Sequence, residues 1–324
     1  MNFKKPALLV TALLVALPLI STTVTAQEKT RLSIATGGTG GVYYPLGGGI
    51  ASILSKQLPK LEATAEVTSA SVDNIKLVAA GKADIGMSLA DTVWDGYNGS
   101  GKFEAKAPIR ALLVLYPART HVVTIAATGI SKMADLKGKR ISTGAAGSGT
   151  EVVAVRLLAA YGIDPEKDVQ REKLSVAESV SALRDRKIDA IFFSGGMPTA
   201  AFTDLAATPG MQIKMIDHAD GLKALVDKYG PLYINDTIPA KMYPGQDKDN
   251  QIISVWNLLV VNEKMDNDLA YKITKTIFEN QADLVLVHKE ALNMVLADQL
   301  KGGSPIPFHP GAMKYFREKG LKAK

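Results

Sequence analysis

The chain has 324 residues, which is enough for two domains of ordinary size. Its formal net charge of +6 is spread along the sequence without a basic block, which argues against a nucleic-acid partner. It contains no cysteine, which excludes disulfides, a thiol nucleophile and any cysteine-ligated metal.

The N-terminal segment, 1–26, has the pattern of an export signal. Two lysines precede an apolar stretch at 7–20, and a short polar run then ends at Ala26 in a site that suits signal peptidase. A membrane span needs about 20 apolar residues, and this stretch is shorter. We therefore expect 1–26 to be a cleaved signal peptide and the mature protein to begin at Gln27, with an uncleaved anchor as the alternative. Because no cysteine follows the apolar stretch, a lipid anchor is excluded and a periplasmic location is favoured.

The segment after the signal alternates between strand-like and helix-like patterns. Strands are predicted over 31–36, 62–68 and 84–88. Helices are predicted over 44–57 and from Ser71 onward, where apolar residues recur at helical spacing. Such alternation predicts an α/β fold with a mostly parallel sheet and helices on its faces.

The second half of the chain loosely repeats the first. The glycine-rich turn at 36–41 has a counterpart at 143–150. The Lys-x-Asp motif at 82–84 recurs at 187–189, and the strands that follow these motifs end in Ser88 and Ser194. Three features that recur at nearly one spacing predict two lobes built on one plan, although any doubly wound protein offers some chance matches.

Further elements follow between and after the two repeats. Consecutive strands are predicted over 110–115 and 121–126, and residues 133–140 are predicted to form a surface turn before the next strand, 141–143. An apolar strand at 255–261 is followed by a predicted long helix over 267–288.

The C-terminal helices have no strands of their own to cover, so we expect them to pack on the first lobe. Lobe 1 would then contain residues 27–124 and 256–324, and lobe 2 residues 125–255. The chain would cross between the lobes twice, which makes a hinge beside a ligand-binding crevice.

The two glycine-rich turns are candidate anion-binding sites. Each follows a strand and opens a helix, where free N–H groups and the helix dipole attract negative charge. Structural turns also use glycine, but two such turns at equivalent places would face one crevice. The second turn is not a phosphate-binding P-loop, because Thr150 and Glu151 stand where that motif requires Lys and Ser/Thr.

No catalytic set is visible. The four histidines are isolated and without metal-ligand spacing, and no Gly-x-Ser-x-Gly motif occurs. We therefore expect a protein that is not an enzyme, with no catalytic residue, no metal and no cofactor.

Polar residues at other strand ends complete the predicted pocket, since ligands of open α/β sheets gather there. Ser71 and Asn74 begin a helix, Ser88 ends a strand, and 194–198 follow its counterpart. Tyr43 could close over a ligand with both ring and hydroxyl, although packing in the first helical turn explains it equally well.

These residues together resemble the TAXI-type solute receptors of TRAP transporters. The resemblance covers nearly the whole predicted mature chain. It rests on TGGTGGVYYPLGGGIA (36–51), SVDNIKLVAAGKADIG (71–86), DLKGKRISTGAAGSGTE (135–151), AIFFSGGMP (190–198), IPAKMYPGQ (238–246), WNLLVVN (256–262) and HPGAMKYFREKG (309–320).

The resemblance implies a two-lobed receptor of the type II periplasmic fold that closes on its ligand by hinge motion. It implies an organic-acid ligand such as glutamate or 2-oxoglutarate, and delivery to an ion-gradient-driven TRAP membrane subunit, typically one fused protein. The ligand contacts that it implies are Thr39, Gly40, Tyr43, Ser71, Asn74, Ser88, Ser148, Gly149, Thr150, Gly196 and Pro198.

The sequence leaves some alternatives open. The other TRAP receptor family commonly holds its carboxylate with an arginine, and none of these loops contains one, so a neutral ligand is also compatible. A receptor of the same fold could instead serve an ATP-driven importer or a sensor kinase. A periplasmic enzyme on the same scaffold is the alternative from a different class.

Overall fold

A computed structural model describes residues 1–2 and 30–322. The predicted signal peptide and its cleavage site lie outside the described residues, apart from the first two. Within the described part, no helix is long and apolar enough to cross a membrane.

The described chain forms ten strands and ten α-helices, joined by turns and short 3₁₀ helices. The strands are β1 (Thr30–Ala35), β2 (Leu61–Glu66), β3 (Ile85–Leu89), β4 (Ile109–Ile125), β5 (Arg140–Ser142), β6 (Gln170–Glu172), β7 (Ala190–Gly195), β8 (Ile213–Met215), β9 (Tyr233–Ile238) and β10 (Asn250–Asn262). The helices are α1 (Tyr43–Gln57), α2 (Ser71–Ala79), α3 (Ala90–Asn98), α4 (Gly149–Ala160), α5 (Val176–Arg184), α6 (Ala200–Ala207), α7 (Leu222–Tyr229), α8 (Asn267–Glu279), α9 (Gln281–Val287) and α10 (Pro310–Glu318).

The strands form one curled sheet, eight of them in the order β2-β1-β3-β10-β4-β7-β5-β6; the other two pair beside this path, β8 with β4 and β9 with β10. Strands β1, β2 and β3 are parallel to one another, as are β5, β6 and β7. In each group the chain forms the middle strand first, the outer strand second, and last the strand that lies nearest the centre of the sheet. The third strand of each group then pairs antiparallel with a long strand, β3 with β10 and β7 with β4. This is the two-lobed α/β arrangement that the sequence predicted.

The repeated Lys-x-Asp motif has the same structural role in both lobes. The N–H of Asp84 donates to the carbonyl of Ser33 at 3.1 Å, and its carboxylate accepts from the N–H of Ser33 at 2.8 Å. The N–H of Asp189 likewise donates to the carbonyl of Arg140 at 2.7 Å, and its carboxylate accepts from the N–H of Arg140 at 2.9 Å. Each aspartate therefore joins the middle strand of its lobe to the start of the inner strand.

Two long strands, β4 and β10, run through both groups. The sequence predicted two separate strands at 110–115 and 121–126, and this was wrong, because β4 is continuous over 17 residues. Pro117 lies within it opposite Trp256, next to a shift in the register of the two strands. A proline has no N–H for the ladder, and an irregularity of this kind accommodates it without ending the strand.

The C-terminal helices pack on α1 and the first group of strands, in one apolar core. The single helix predicted over 267–288 was wrong, because α8 ends at Glu279, Asn280 is its C-cap, and α9 begins at Gln281. The Asn280 amide donates to the carbonyl of Thr276 at 2.8 Å and accepts from Gln57 at 3.0 Å. An asparagine that bonds to the preceding turn in this way competes with helix continuation.

The segment predicted as a surface turn at 133–140 is partly buried. Met133 and Leu136 lie in the core, within a short 3₁₀ helix. The Asp135 carboxylate accepts from the N–H of Ser131 at 2.9 Å and fixes the start of this helix. The remaining residues, from Lys137 onward, form the predicted turn into β5.

Candidate functional site

A cavity lies between the two lobes, at the carboxyl ends of β1, β3, β5 and β7. Ligands of open α/β sheets bind at this edge. Its volume is about 90 Å³. We call it the interlobe cavity, and its walls are formed by 37–38, 41–43, 68–71, 144–145, 148–150, 175–176 and 192–195, with Leu89 and Tyr116.

The turn before α4 presents free hydrogen-bond donors to this cavity. Ser148 is the N-cap of α4, and its hydroxyl oxygen accepts from the N–H of Glu151 at 3.0 Å. The N–H groups of Gly149 and Thr150 have no acceptor among the described residues. The positive end of the helix dipole adds to their attraction for an anion.

Three hydroxyl groups on the cavity wall are oriented by backbone N–H groups. Besides Ser148, Ser71 accepts from the N–H of Leu89 at 3.1 Å, and Thr150 accepts from the N–H of Ser194 at 3.1 Å. Each oxygen uses a lone pair in this contact and keeps its hydrogen for donation. The wall therefore offers donors to a bound molecule.

The first glycine-rich turn reaches the cavity wall, but not through the two residues of this turn that were predicted to contact the ligand. Gly37, Gly38 and Gly41 line the cavity, whereas Thr39 is exposed and Gly40 is not on the wall. A β-carbon at Gly40 would lie 3.1 Å from Val176 of the other lobe. Glycine at this position thus allows the two lobes to approach closely.

Tyr43 reaches the floor of the cavity from the first turn of α1. Its hydroxyl donates to the side-chain oxygen of Asn257 on β10. The Asn257 amide donates in turn to the carbonyl of Tyr116 at 3.0 Å. Burial raises the pKa of Tyr43, so the phenol stays protonated.

Asn74 and Ser88 lie behind the cavity wall. The Asn74 amide donates to the carbonyls of Thr36 and Met87, both at 2.7 Å, and its oxygen accepts from Thr68 at 2.6 Å. Ser88 is buried, and its hydroxyl donates to the neighbouring carbonyl of Leu89 at 3.3 Å. Asn74 therefore joins the turn after β1, strand β3 and the segment before α2.

Gly196 and Pro198 lie beyond the wall, although their neighbours Ser194 and Gly195 form part of it. A β-carbon at Gly196 would lie 2.7 Å from the side chain of Glu290, so this turn packs against the C-terminal region. Pro198 is exposed and follows a cis peptide bond.

The structure thus brings together five of the eleven predicted ligand residues on the wall and leaves six outside it. The five are Tyr43, Ser71, Ser148, Gly149 and Thr150. Those outside are Thr39, Gly40, Asn74, Ser88, Gly196 and Pro198.

The wall also contains residues that the sequence did not indicate. Tyr116 comes from the middle of β4, and Phe192 and Phe193 come from β7. They belong to apolar runs, and only the strand register decides which of their side chains meet the cavity. Ala70 is another wall residue that the sequence did not indicate. Its φ of 81° is a conformation that favours glycine. This strained residue turns the chain so that Ser71 begins α2 at the cavity.

The lobes touch directly around the cavity. The carbonyl of Gly147 accepts from the N–H groups of Val72 at 3.1 Å and Asp73 at 3.2 Å, and so caps α2 from the other lobe. Arg156 on α4 forms an ion pair with Asp91 at 3.3 Å and a second with Asp95, both on α3. The structure is therefore a closed arrangement of the two lobes.

The wall of the interlobe cavity has no charged side chain among the described residues. The described residues also contain no group of three or more His, Asp or Glu side chains arranged to hold a metal ion. An anion bound here would be stabilised by N–H and O–H donors and by helix dipoles.

Comparisons with known proteins agree with this fold. The model of the NMT1-like family matches residues 34–320. A solved structure from Bordetella bronchiseptica RB50 is 19% identical, with a TM-score of 0.52 over 90% of this chain and 98% of that chain. The binding-protein component of an ABC phosphonate transporter from Pseudomonas aeruginosa is 12% identical, with a TM-score of 0.52 over 82% of this chain and 80% of that chain. A third structure, solved bound to L-arginine, is 17% identical, with a TM-score of 0.50 over 82% and 90% of the two chains. The chain has the two-lobed fold of type II periplasmic binding proteins.

Proposed function

The chain belongs to the NMT1-like family, and from this premise we propose that it is a periplasmic solute receptor. It captures a small organic anion between its lobes and delivers this anion to a membrane transporter. The segment 1–26 directs export as a cleaved signal peptide, so that the mature receptor acts in the periplasm.

The donor set of the interlobe cavity is the observation that carries this proposal. The free N–H groups of Gly149 and Thr150 lie beside the hydroxyls of Ser71 and Ser148 on one wall. A carboxylate has only acceptor positions, so it can use every one of these donors. Hydrogen bonds to a charged oxygen are stronger in such a partly buried site than in bulk water.

Hinge closure is the proposed mode of capture. Lobe 1 comprises 27–124 and 256–324, lobe 2 comprises 125–255, and β4 and β10 form the hinge. Opening would break the contact between Gly147 and α2 and the ion pairs of Arg156, and so expose the cavity. A ligand that bridges both lobes favours the closed state by its additional contacts.

The ligand contacts that we propose first are the five wall residues named above. Thr39 and Gly40 belong to the first glycine-rich turn, whose other glycines line the wall, and Gly196 and Pro198 follow the wall residues 192–195. These four, together with Asn74 and Ser88, would act on the ligand only through a rearrangement of the turns or by holding the wall residues in place.

The proposed transport partner is a TRAP membrane subunit of the fused type, driven by an ion gradient. The resemblance of the loop sequences to TAXI-type receptors supports this choice. An ABC importer is the competing partner, because the phosphonate transporter component shares the fold. Uptake into proteoliposomes that contain receptor and membrane subunit should require a sodium or proton gradient and proceed without ATP. Uptake that requires ATP would assign the receptor to the competing class.

Catalysis is not part of the proposal. The described residues provide no nucleophile with a neighbouring base on the cavity wall, and binding alone accounts for the donor arrangement. A bound acid should therefore be recovered chemically unchanged after incubation, as mass spectrometry of the denatured protein would show.

The proposal is tested by a thermal-shift screen with amino acids and with mono-, di- and keto-acids, followed by calorimetry. A ligand at about 100 times its Kd stabilises the protein by roughly 2.7 kcal/mol, which raises Tm by a few degrees. Ser148→Ala should then weaken binding about tenfold or more, because it removes a donor to a charged group.

Ser55→Ala is the matched control for this variant. Ser55 also accepts from a backbone N–H, that of Ala63 at 2.8 Å, but it lies outside the cavity. Its substitution should leave the Kd unchanged. Absence of a shift with every acid, or equal Kd values for Ser148→Ala and wild type, would contradict the proposal.

A further inference from the structure

Over its described residues, the wall of the interlobe cavity has hydrogen-bond donors for a carboxylate but no acidic side chain to pair with a cationic group. Aspartate and glutamate are absent from it among the described residues. An ammonium group that leaves water requires a carboxylate or several free acceptors, and otherwise costs several kcal/mol. An amino acid would bring such a group into the cavity.

Two buried carboxylates close to wall residues, those of Asp91 and Glu290, are already engaged. Asp91 accepts from Tyr233 at 2.7 Å and pairs with Arg156. Glu290 accepts from Arg119 at 2.7 Å and, through the same oxygen, from the N–H of Met197 at 2.8 Å. Both carboxylates are buried, and neither lines the cavity.

Several backbone carbonyls of the wall are also engaged. The carbonyl of Gly38 accepts from Gly41 at 3.3 Å, and that of Ala145 accepts from Ser148 at 3.0 Å. The carbonyl of Tyr116 accepts from Asn257. These contacts reduce the acceptors that an ammonium group could use.

One buried donor on the wall has no partner in the described structure. Tyr116 has 0% exposed surface, and its hydroxyl makes no hydrogen bond to any described residue. Tyr116 is one of the residues that line the cavity, and burial keeps the pKa of its phenol well above the usual range. A protonated phenol that is buried without an acceptor is unfavourable, and a ligand oxygen would satisfy it.

On the basis of the proposed function, we propose that the site selects carboxylic acids without an ammonium group, and that the Tyr116 hydroxyl donates a hydrogen bond to them. A 2-oxo acid or a dicarboxylate presents only acceptor oxygens to the hydrogen-bond donors of the wall. The corresponding amino acid presents three N–H donors of its own to a wall that also donates. The site therefore distinguishes compounds that differ only in the group on the α-carbon.

Calorimetry with matched pairs of compounds tests the selection without any mutation. The pairs are 2-oxoglutarate with glutamate, succinate with aspartate, and pyruvate with alanine. For at least one pair we expect the ammonium-free acid to bind, with a Kd at least tenfold lower than that of its amino acid. A tenfold difference corresponds to about 1.4 kcal/mol.

The outcomes separate this inference from the proposed function. Amino acids that bind as tightly as their partners, or more tightly, would overturn the selection and leave the receptor function intact. Absence of binding by acids of both kinds would overturn the proposed function itself.

The role of Tyr116 is tested with Tyr116→Phe, which keeps the ring and removes only the donor. The variant should bind the preferred acid at least tenfold more weakly, with little change in Tm in the absence of ligand. Tyr315→Phe is the matched control, since Tyr315 lies on α10, is buried in the C-terminal core and is not on the cavity wall. An unchanged Kd in Tyr116→Phe would remove this residue from the site.

Discussion

Adding one methyl group at Gly149, as in Gly149→Ala, should hinder closure of the lobes without preventing the protein from folding. A β-carbon there would lie 2.5 Å from the Ser71 hydroxyl and 2.7 Å from a methyl carbon of Leu89. Both neighbours belong to the opposite lobe as proposed. Gly149→Ala should therefore obstruct the closed state, whereas the helix that begins at Gly149 can still form in an open state.

The magnitude of this effect follows from the clash. Overpacking of a close contact costs about 1–3 kcal/mol, which lowers the equilibrium constant for closure about 5- to 150-fold. With the open state predominant in the absence of ligand, the apparent Kd rises by the same factor, because only the closed state binds with full affinity. Calorimetric titration with the tightest-binding carboxylate measures this directly.

Gly48→Ala provides the matched control. Gly48 lies in α1, and a β-carbon there would meet no heavy atom within 4 Å. This substitution should leave the Kd unchanged and stabilise the helix by about 0.5–1 kcal/mol. A Gly149→Ala protein with the wild-type Kd would refute the reasoning, since the lobes would then bind ligand without the close approach seen here.

Three further predictions concern stability. Burial lowers the pKa of His121 and His218 to about 4, so the unfolded state, with pKa values of about 6.5, binds more protons between these limits. The free energy of unfolding should fall as the pH is lowered from 6.5, by up to about 1.4 kcal/mol per pH unit for each histidine; urea titrations that show no change down to pH 5 would contradict this. Arg156→Met leaves two buried aspartates without their cation, and should cost about 3–5 kcal/mol in urea unfolding; a loss below about 1 kcal/mol would mean that the pairs contribute little. The hydrogen bond from Arg140 lowers the pKa of Asp189, which stabilises the fold above about pH 4 and is lost as the pH falls further. In thermal unfolding, Asp189→Asn should therefore show a weaker dependence of Tm on pH below 5 than wild type, and equal slopes would count against this role.

The similarity of the two lobes was predictable because the Lys-x-Asp motif and its neighbouring features recur at nearly one spacing along the sequence. Asp84 and Asp189 occupy equivalent positions, and each satisfies backbone groups of its middle strand. The glycine-rich turns were predictable for a similar reason, since a strand that leads into a helix at a cleft needs little side-chain bulk.

Which residues line the cavity was harder to predict from the sequence. Asn74 and Ser88 are polar residues at element ends, as a ligand-binding residue would be, but the Asn74 amide donates to carbonyls of β3 and of the turn after β1. Tyr116 lies within a continuous apolar strand, where the sequence does not reveal which face meets the cavity. Its role depends on the register of β4 against β10, which tertiary pairing determines.

The break at Asn280 shows a similar limit. Apolar spacing continues from α8 into α9, so periodicity alone predicts one helix. At the break, the Asn280 side chain bonds to the carbonyl of Thr276 and also to Gln57 at the end of α1, which is distant in sequence and close only in the folded chain.

A crystal structure with the tightest-binding carboxylate tests the central claim most directly. The account predicts a closed protein with the ligand between the lobes, and ligand oxygens within about 3.2 Å of the N–H groups of Gly149 and Thr150 and of the hydroxyls of Ser71 and Tyr116. A ligand bound outside the interlobe cavity, or one held there without these donors, would contradict it.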